Sequence, residues 1–281
     1  MAEYMRPTSV GEAVAALQAG SWTVLAGGTD LYPAHVERPL AGNLLDISAI
    51  EGLRGIAAGE SGWTIGALTT WSDLIGADLP PLFDGFKAAA REVGGVQIQN
   101  AATIAGNLLN ASPAADGVPP LLSLDAQIEL AGPAGSRRLA LTDFIAGNRQ
   151  TTRRSDELAT AIHVPRPAQA DTRGDFLKLG SRRYLVISIA MVAATLAVED
   201  HKVTAARIAV GACSPVARRL TGLENDLVGR AVDADLGLAV NAHHLTSLAP
   251  IDDVRASADY RRHAALVLVR RVLGRLGGAT S

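Results

Sequence analysis

The chain has 281 residues, 48% hydrophobic and 19% charged, which excludes global disorder and leaves room for two or three packed units. A net charge of −2 gives no field of one sign to hold nucleic acid or a membrane surface, and 4% aromatics are too few for a base-stacking platform. The single cysteine, Cys213, excludes an internal disulfide and any zinc site or iron–sulfur cluster built from the cysteines of this chain alone.

Residues 1–7 lack the apolar segment of a secretory leader, so a cytoplasmic protein is expected. Ser9 caps a first helix and Glu12 completes a capping box; Val10, Ala13, Val14 and Leu17 form its apolar stripe, and Gly20 ends it. A short strand, Thr23-Val24-Leu25, runs into Ala26-Gly27-Gly28-Thr29-Asp30. Residues 44–47 and 63–67 are further strand candidates. Thr70 and Asp73 cap a short helix, and a longer helix covers about 80–93. Residues 94–120 are rich in Gly, Asn, Ala and Pro, show neither helical nor strand periodicity, and read as a long functional loop. Strands resume at 127–130 and 158–164, and Pro165-Arg166-Pro167-Ala168-Gln169-Ala170-Asp171 reads as a linker. Beyond it, residues 187–198 and 203–210 flank the polar turn Glu199-Asp200-His201-Lys202 as a hairpin. The apolar run 185–198 is shorter than the ~20 residues a bilayer crossing needs and reads as core. From Pro215 the chain reads as helical. Its last helix places Ala265, Leu268, Val269, Val272 and Leu276 on one face, with Arg261, Arg262, Arg270, Arg271 and Arg275 on the solvated remainder.

Two glycine-bearing segments offer chemistry. In Val24-Leu25-Ala26-Gly27-Gly28-Thr29-Asp30-Leu31 the glycines reach φ > 0, so that consecutive N–H groups can form a concave anion site, and Thr29 adds a hydroxyl. No Walker or Rossmann pattern accompanies it, and taken alone such a Gly-Gly is more often a plain turn. The second segment runs Thr103-Ile104-Ala105-Gly106-Asn107-Leu108-Leu109-Asn110-Ala111-Ser112-Pro113-Ala114-Ala115-Asp116. Its hydroxyls, amides and carboxylate suit a ligand with hydroxyls and phosphates, such as a dinucleotide. Asp116 would face a sugar or ribityl hydroxyl, or a backbone amide, rather than phosphate. The alternative is a capped turn, with Asn110 and Ser112 as caps and Pro113 at the first helical position. His243-His244 reads as a surface pair, because neighbours on a helix point apart, and Cys213 as a small buried hydrophobe.

The two segments together resemble the FAD-binding subunit of the molybdenum hydroxylases, the family of xanthine dehydrogenase. Glu157-Leu158-Ala159-Thr160-Ala161-Ile162, Phe176-Leu177-Lys178-Leu179-Gly180-Ser181-Arg182-Arg183 and Ile251-Asp252-Asp253-Val254-Arg255 extend the resemblance over essentially the whole chain. It implies an α+β fold. A PCMH-type FAD-binding domain would cover residues 1–168, in subdomains of about 1–55 and 56–168. A CO dehydrogenase flavoprotein-like C-terminal domain would follow over 172–281, with a three-stranded antiparallel sheet and helices. It also implies that residues 24–31 form a first pyrophosphate loop and Thr103, Ile104, Ala105, Gly106 and Asn107 a second. Ser112 would also bind the cofactor, Asp116 would contact its hydroxylated part, and Val93, Ala159 and Lys178 would touch the flavin or its chain.

No metal and no catalytic side chain is implied for this chain. FAD would be held non-covalently, since neither segment contains His or Cys. The implied partners are an iron–sulfur small subunit carrying [2Fe–2S] clusters and a large subunit carrying molybdenum–pterin, in a dimer of heterotrimers, with FAD passing electrons to an external acceptor. A self-contained flavin oxidase or reductase, and an interaction protein without FAD, are the alternatives. The first would need its own base beside the flavin, and the second would show degraded loops. Three departures stand out. Ala105 occupies a position where relatives often carry glycine, so φ < 0 is expected there. Val186-Ile187-Ser188 replaces a frequent Asp-Ile-Ala or Asp-Ile-Ser. The cysteine-bearing loop of the coenzyme A thioester reductases is missing. The Ser-Pro-Ala-Ala-Asp run is more similar to xanthine- or N-heterocycle-type enzymes than to CO dehydrogenases.

Overall fold

The computed structural model describes residues 2–37, 40–183 and 185–278. Strand β1 (Tyr4–Met5), helix α1 (Val10–Ala19), β2 (Trp22–Leu25) and β3 (Asn43–Asp46) make a small parallel sheet ordered β1-β3-β2. Ser9 Oγ accepts the Glu12 N–H at 3.2 Å, as a cap should. The Glu12 carboxylate accepts from the Thr8 N–H at 2.8 Å, so the expected box closes on Thr8 rather than on Ser9. Ala13, Val14, Ala16 and Leu17 bury α1 against Leu45, Ile47 and Ile50. That packing sets the end of β2, and the turn after it, at the rim of this sheet.

The next unit contains β4 (Ile56–Gly59), β5 (Gly62–Gly66), α2 (Trp71–Gly76), α3 (Asp84–Glu92), α4 (Val96–Ala101), α5 (Ile104–Asn110), α6 (Val118–Ser123), β6 (Gln127–Gly132), β7 (Gly135–Ala140), α7 (Leu141–Phe144), β8 (Ile145–Gly147), β9 (Gln150–Thr151) and β10 (Leu158–Pro165). Its sheet is antiparallel, ordered β4-β5-β10-β6-β7. Trp71, Phe83, Phe86, Phe144, Ile65, Ile128 and Leu108 fill the core between sheet and helices. Residues 94–120 are therefore not a long loop: α4, α5 and the start of α6 lie in them. Each is under two turns, too short to display an apolar stripe. Local devices hold them instead. Thr103 Oγ1 accepts the Gly106 N–H at 3.0 Å, and Pro119 and Pro120 occupy the first turn of α6, where no N–H is needed. The capped-turn alternative holds in part, since Ser112 caps a turn, but no helix starts there. Ala111, at φ 46°, ends α5, Ser112 Oγ accepts the Ala114 N–H at 3.3 Å, and Pro113 starts no helix.

The last unit has three long antiparallel strands, β11 (Thr172–Leu179), β12 (Ala190–Glu199) and β13 (Lys202–Gly211), with two-residue β14 (Arg218–Arg219) at the edge. Asp200 and His201, at φ 49° and 58°, make the β12–β13 turn with both residues left-handed, which suits the twist of a tight hairpin. Helices α8 (Thr221–Leu227) and α9 (Ala258–Gly278) cover the sheet, so β14 and short 3-10 turns interrupt what reads as helix from Pro215. Ala265, Leu268, Val269, Val272 and Leu276 are all buried, as the stripe predicts. Arg261 departs from expectation. It is only 3% exposed, and donates to Ile189 O at 2.7 Å, Ala212 O at 3.1 Å and Asp253 at 2.6 Å. It lies one helical turn before Ala265, on the apolar stripe itself, where strand-end carbonyls need donors. No helix among the described residues is long and apolar enough to cross a membrane.

Candidate functional site

A cavity of about 700 Å³ lies where the turn after β2 meets the α4–α5 junction, the β8–β9 hairpin and the start of β10. That volume is in the range of small-molecule and cofactor sites. Of the residues singled out in the sequence, all of 24–31 line it, together with Val93, Thr103, Ala105, Gly106, Asn107 and Ala159. Ile104 packs into the core beneath, and Ser112, Asp116 and Lys178 lie outside the wall. Trp71, Ile98, Arg149 and Arg153 join the wall without having been anticipated. Arg149 lies in the β8–β9 hairpin and Arg153 just after it, distant in sequence from both glycine segments, so no local pattern announces them.

Gly28 adopts φ +69°, and a Cβ there would sit 2.6 Å from the Tyr32 ring. At Gly27 a Cβ would sit 2.0 Å from the Ala101 carbonyl oxygen, so the turn rests directly on the end of α4. The N–H groups of Gly27, Gly28 and Thr29 donate to nothing among the described residues. These half-buried donors on a cavity wall are a fitting cradle for an anionic group of a ligand. The Trp71 indole N–H, on the same wall, is buried and also has no partner. The second segment has spent part of its donors, while the N–H groups of Thr103 and Ala105 on the wall donate to nothing among the described residues. The Gly106 N–H goes to Thr103 Oγ1, and the Asn107 N–H to Thr103 O at 3.1 Å. Asn107 Oδ1 accepts the Gly117 N–H at 3.2 Å. Ala105 is helical and has no positive φ, as expected.

Asp116 is buried behind this wall. Lys178 Nζ donates to its Oδ2 at 2.6 Å and Ser188 Oγ to its Oδ1 at 2.6 Å. Burial pushes the Asp116 carboxyl up, against the pull of Lys178 and Ser188. Ser188, two residues after the Val186 that departs from the family's acidic pattern, thus serves Asp116. On the cavity side, Glu157 forms a two-bond pair with Arg137, at 2.6 and 2.9 Å, which holds its carboxyl below the usual range. Arg149 Nη1 donates to Asn110 Oδ1 at 2.7 Å and lies 3.5 Å from Asp30 Oδ2.

His243 and His244 are neighbours in a 3-10 turn, yet their rings approach to 3.9 Å. His244 is buried rather than on the surface, because it folds back to cap the turn: its Nδ1 accepts the Asn241 N–H at 3.0 Å. Its Nε2 lies 3.1 Å from Asp226 Oδ2. With Nδ1 accepting, the proton sits on Nε2 and points at Asp226. His244 then has no lone pair left for a metal, although the three side chains are close enough to suggest one.

The family described as FAD binding domain in molybdopterin dehydrogenase matches residues 1–167, and the family described as CO dehydrogenase flavoprotein C-terminal domain matches residues 175–276. The xanthine dehydrogenase FAD-binding subunit of Escherichia coli O157:H7 is 28% identical over 276 residues, covering 97% of this chain and 94% of the relative. The carbon monoxide dehydrogenase medium chain of Hydrogenophaga pseudoflava is 33% identical over 279 residues, covering 96% and 95%. A solved structure of reconstituted CO dehydrogenase from Oligotropha carboxidovorans has a TM-score of 0.89 at 30% identity, covering 99% of this chain and 98% of that one.

Proposed function

This chain belongs to the FAD-binding subunits of xanthine- and CO-dehydrogenase-type molybdenum hydroxylases, and we propose that it is the electron-transfer subunit of a three-subunit enzyme. On this reading an iron–sulfur subunit with [2Fe–2S] clusters delivers electrons taken from substrate at a molybdenum–pterin subunit, and an external acceptor removes them. The assembly is a cytoplasmic dimer of heterotrimers, and this chain contributes an FAD unit over 1–168 and a second unit over 172–281. The single cysteine supports the division of labour, because clusters must be held elsewhere. The Ser-Pro-Ala-Ala-Asp run supports a xanthine- or N-heterocycle-type complex.

The carrying observation is the row of unpartnered N–H groups at Gly27, Gly28 and Thr29 on the wall of a cofactor-sized cavity. Residues 24–31 would hold the phosphates, and residues 103–107 would close the wall beneath them, with the Thr103 and Ala105 N–H groups left to reach them. Val93 and Ala159 would give apolar walls to the flavin part, while Asp116, Lys178 and Ser112 would brace the site from behind. FAD supplies one- and two-electron chemistry, which suits a junction between clusters and a two-electron acceptor. The self-contained oxidase is less well supported. No His, Tyr, Lys or Cys lines the cavity among the described residues, and Lys178 is committed to Asp116.

Purification of the native complex tests the reading. Iron and molybdenum should co-purify with this chain, and acid precipitation should release FAD into solution. An active preparation free of both metals would defeat the relay, and a yellow acid pellet would defeat non-covalent binding.

A further inference from the structure

Arg153 is the cavity's unbalanced cation. It is half-buried on the wall, and its Nη1 donates to two carbonyls, Arg154 O at 3.0 Å and Glu157 O at 2.6 Å. Its Nε and Nη2 make no hydrogen bond, and no carboxylate lies within ion-pair distance of it among the described residues. The nearest candidate on the wall, Glu157, is already matched by Arg137 and by the Arg154 N–H at 2.7 Å. Burial pushes the Arg153 guanidinium down from its ordinary range, outweighing the pull of the Glu157 and Asp156 charges beyond ion-pair distance. A desolvated cation without a direct ion pair is costly unless something anionic completes it.

Arg149, four residues earlier, faces the same cavity. Its backbone, at φ 54°, is left-handed, and its N–H is fixed on Ala111 O at 2.9 Å, which pins the hairpin tip to the end of α5. Its guanidinium spans from Asn110 on α5 to Asp30 beside the glycine turn. Arg153 and Arg149 therefore bring positive charge to a cavity whose other anion-seeking groups are neutral amides.

We propose that Arg153, with Arg149 as a more exposed second, pairs with the diphosphate of the bound dinucleotide. The inference rests on the FAD reading above and adds to it the ionic part of recognition, which the glycine turn alone does not supply. Arg suits this task, because its planar fork of donors matches phosphate oxygens.

The test uses the full chain freed of flavin, titrated calorimetrically with FAD, ADP, inorganic pyrophosphate and riboflavin. Arg153→Gln should weaken FAD, ADP and pyrophosphate by about ten- to a hundredfold, the range for a lost charge-assisted contact, and leave riboflavin unchanged. Arg153→Lys should recover part of the loss. Arg149→Gln, at an exposed position, should cost about two- to fivefold. Both glutamine variants should flatten the salt dependence of ADP binding. Unchanged ADP and pyrophosphate binding overturns the proposal. So does a loss shared by riboflavin, which would move Arg153 to the flavin end. If Arg153→Gln fails to fold by circular dichroism, Arg153→Lys and Arg149→Gln decide: ADP binding unaffected in both overturns it. A wild-type chain that binds riboflavin, ADP and FAD not at all sinks the FAD reading itself, and a wild type that binds FAD beside indifferent variants sinks only this inference.

Discussion

The turn after β2 and the segment from Thr103 to Asp116 draw on the same residue types, yet they do opposite things with their polar groups. In the first, Gly27, Gly28 and Thr29 leave their N–H groups without partners among the described residues, on the cavity wall. In the second, Thr103, Gly106 and Asn107 bond one another, and Asp116 is claimed from behind by Lys178 and Ser188. Composition cannot distinguish the two, because the difference lies in what surrounds them. The first turn rests on the end of α4, with no described residue placed to satisfy it. The second is wound into a short helix that satisfies its Gly106 and Asn107 N–H groups on Thr103. On the FAD reading the first segment would receive the ligand, and the second would chiefly hold the receiving wall against β11.

The largest expected effect follows from disturbing the first segment alone. Gly28→Val puts a β-branched residue at φ +69°, with its Cβ against the Tyr32 ring. The turn must abandon its left-handed geometry, and the neighbouring N–H groups lose their common aim. Losing two charge-assisted contacts, each ~1.5–3 kcal/mol, weakens FAD binding by roughly two to four orders of magnitude. The protein should stay folded and colourless. Retention of full flavin by Gly28→Val would break the comparison, for the turn would then be a turn and nothing more.

Asp116→Ala should separate the segments the other way, with stability falling first. It leaves the Lys178 ammonium, whose side chain is 6% exposed, without its counter-charge. Truncating one partner of a buried pair costs about 3–5 kcal/mol, which urea unfolding of the chain will register. Asp116→Asn, which keeps an acceptor for Ser188, should cost less. Should flavin affinity collapse in Asp116→Asn while the urea midpoint stays put, Asp116 serves the cofactor directly and the second segment is a ligand loop after all.

How far such roles are legible in a sequence depends on length of pattern. Helix α9 and the β12–β13 hairpin carry long periodicities and are read correctly, as is the strand-then-turn at Leu25 to Gly28. Helices α4, α5 and α6 are too short to carry a period, and β7 has no buried alternation to show. Arg149 and Arg153 reach the cavity only because the β8–β9 hairpin folds back on α5, a tertiary fact with no local signature. Arg261 misleads for a different reason: it occupies a core position of α9, and charge conceals that its guanidinium is needed by Ile189 and Ala212 carbonyls. His244 conceals a cap in the same manner.

The smallest effect belongs to Ala105→Gly, and it sharpens the comparison most finely. If the second segment were a phosphate loop of the same kind as the first, a glycine at this position would be the better residue, opening the backbone and permitting φ > 0. The structure gives alanine a helical backbone in the first turn of α5 and 2% exposure. Glycine there loses a buried methyl and restores freedom to the unfolded chain, so it should destabilise by about 1 kcal/mol, a drop in Tm of about 2–4 °C. The N–H of Gly106 stays on Thr103 Oγ1 in either case, so no new donor becomes free for a ligand. FAD affinity should therefore change by less than about threefold, well under the ~1.4 kcal/mol that a tenfold shift requires. Melting and FAD titration of the same preparation check both halves. A tenfold gain in affinity would show that the methyl intrudes on the ligand and that the helix opens to receive it, which would make the two segments partners in one task rather than a receiving turn and its support.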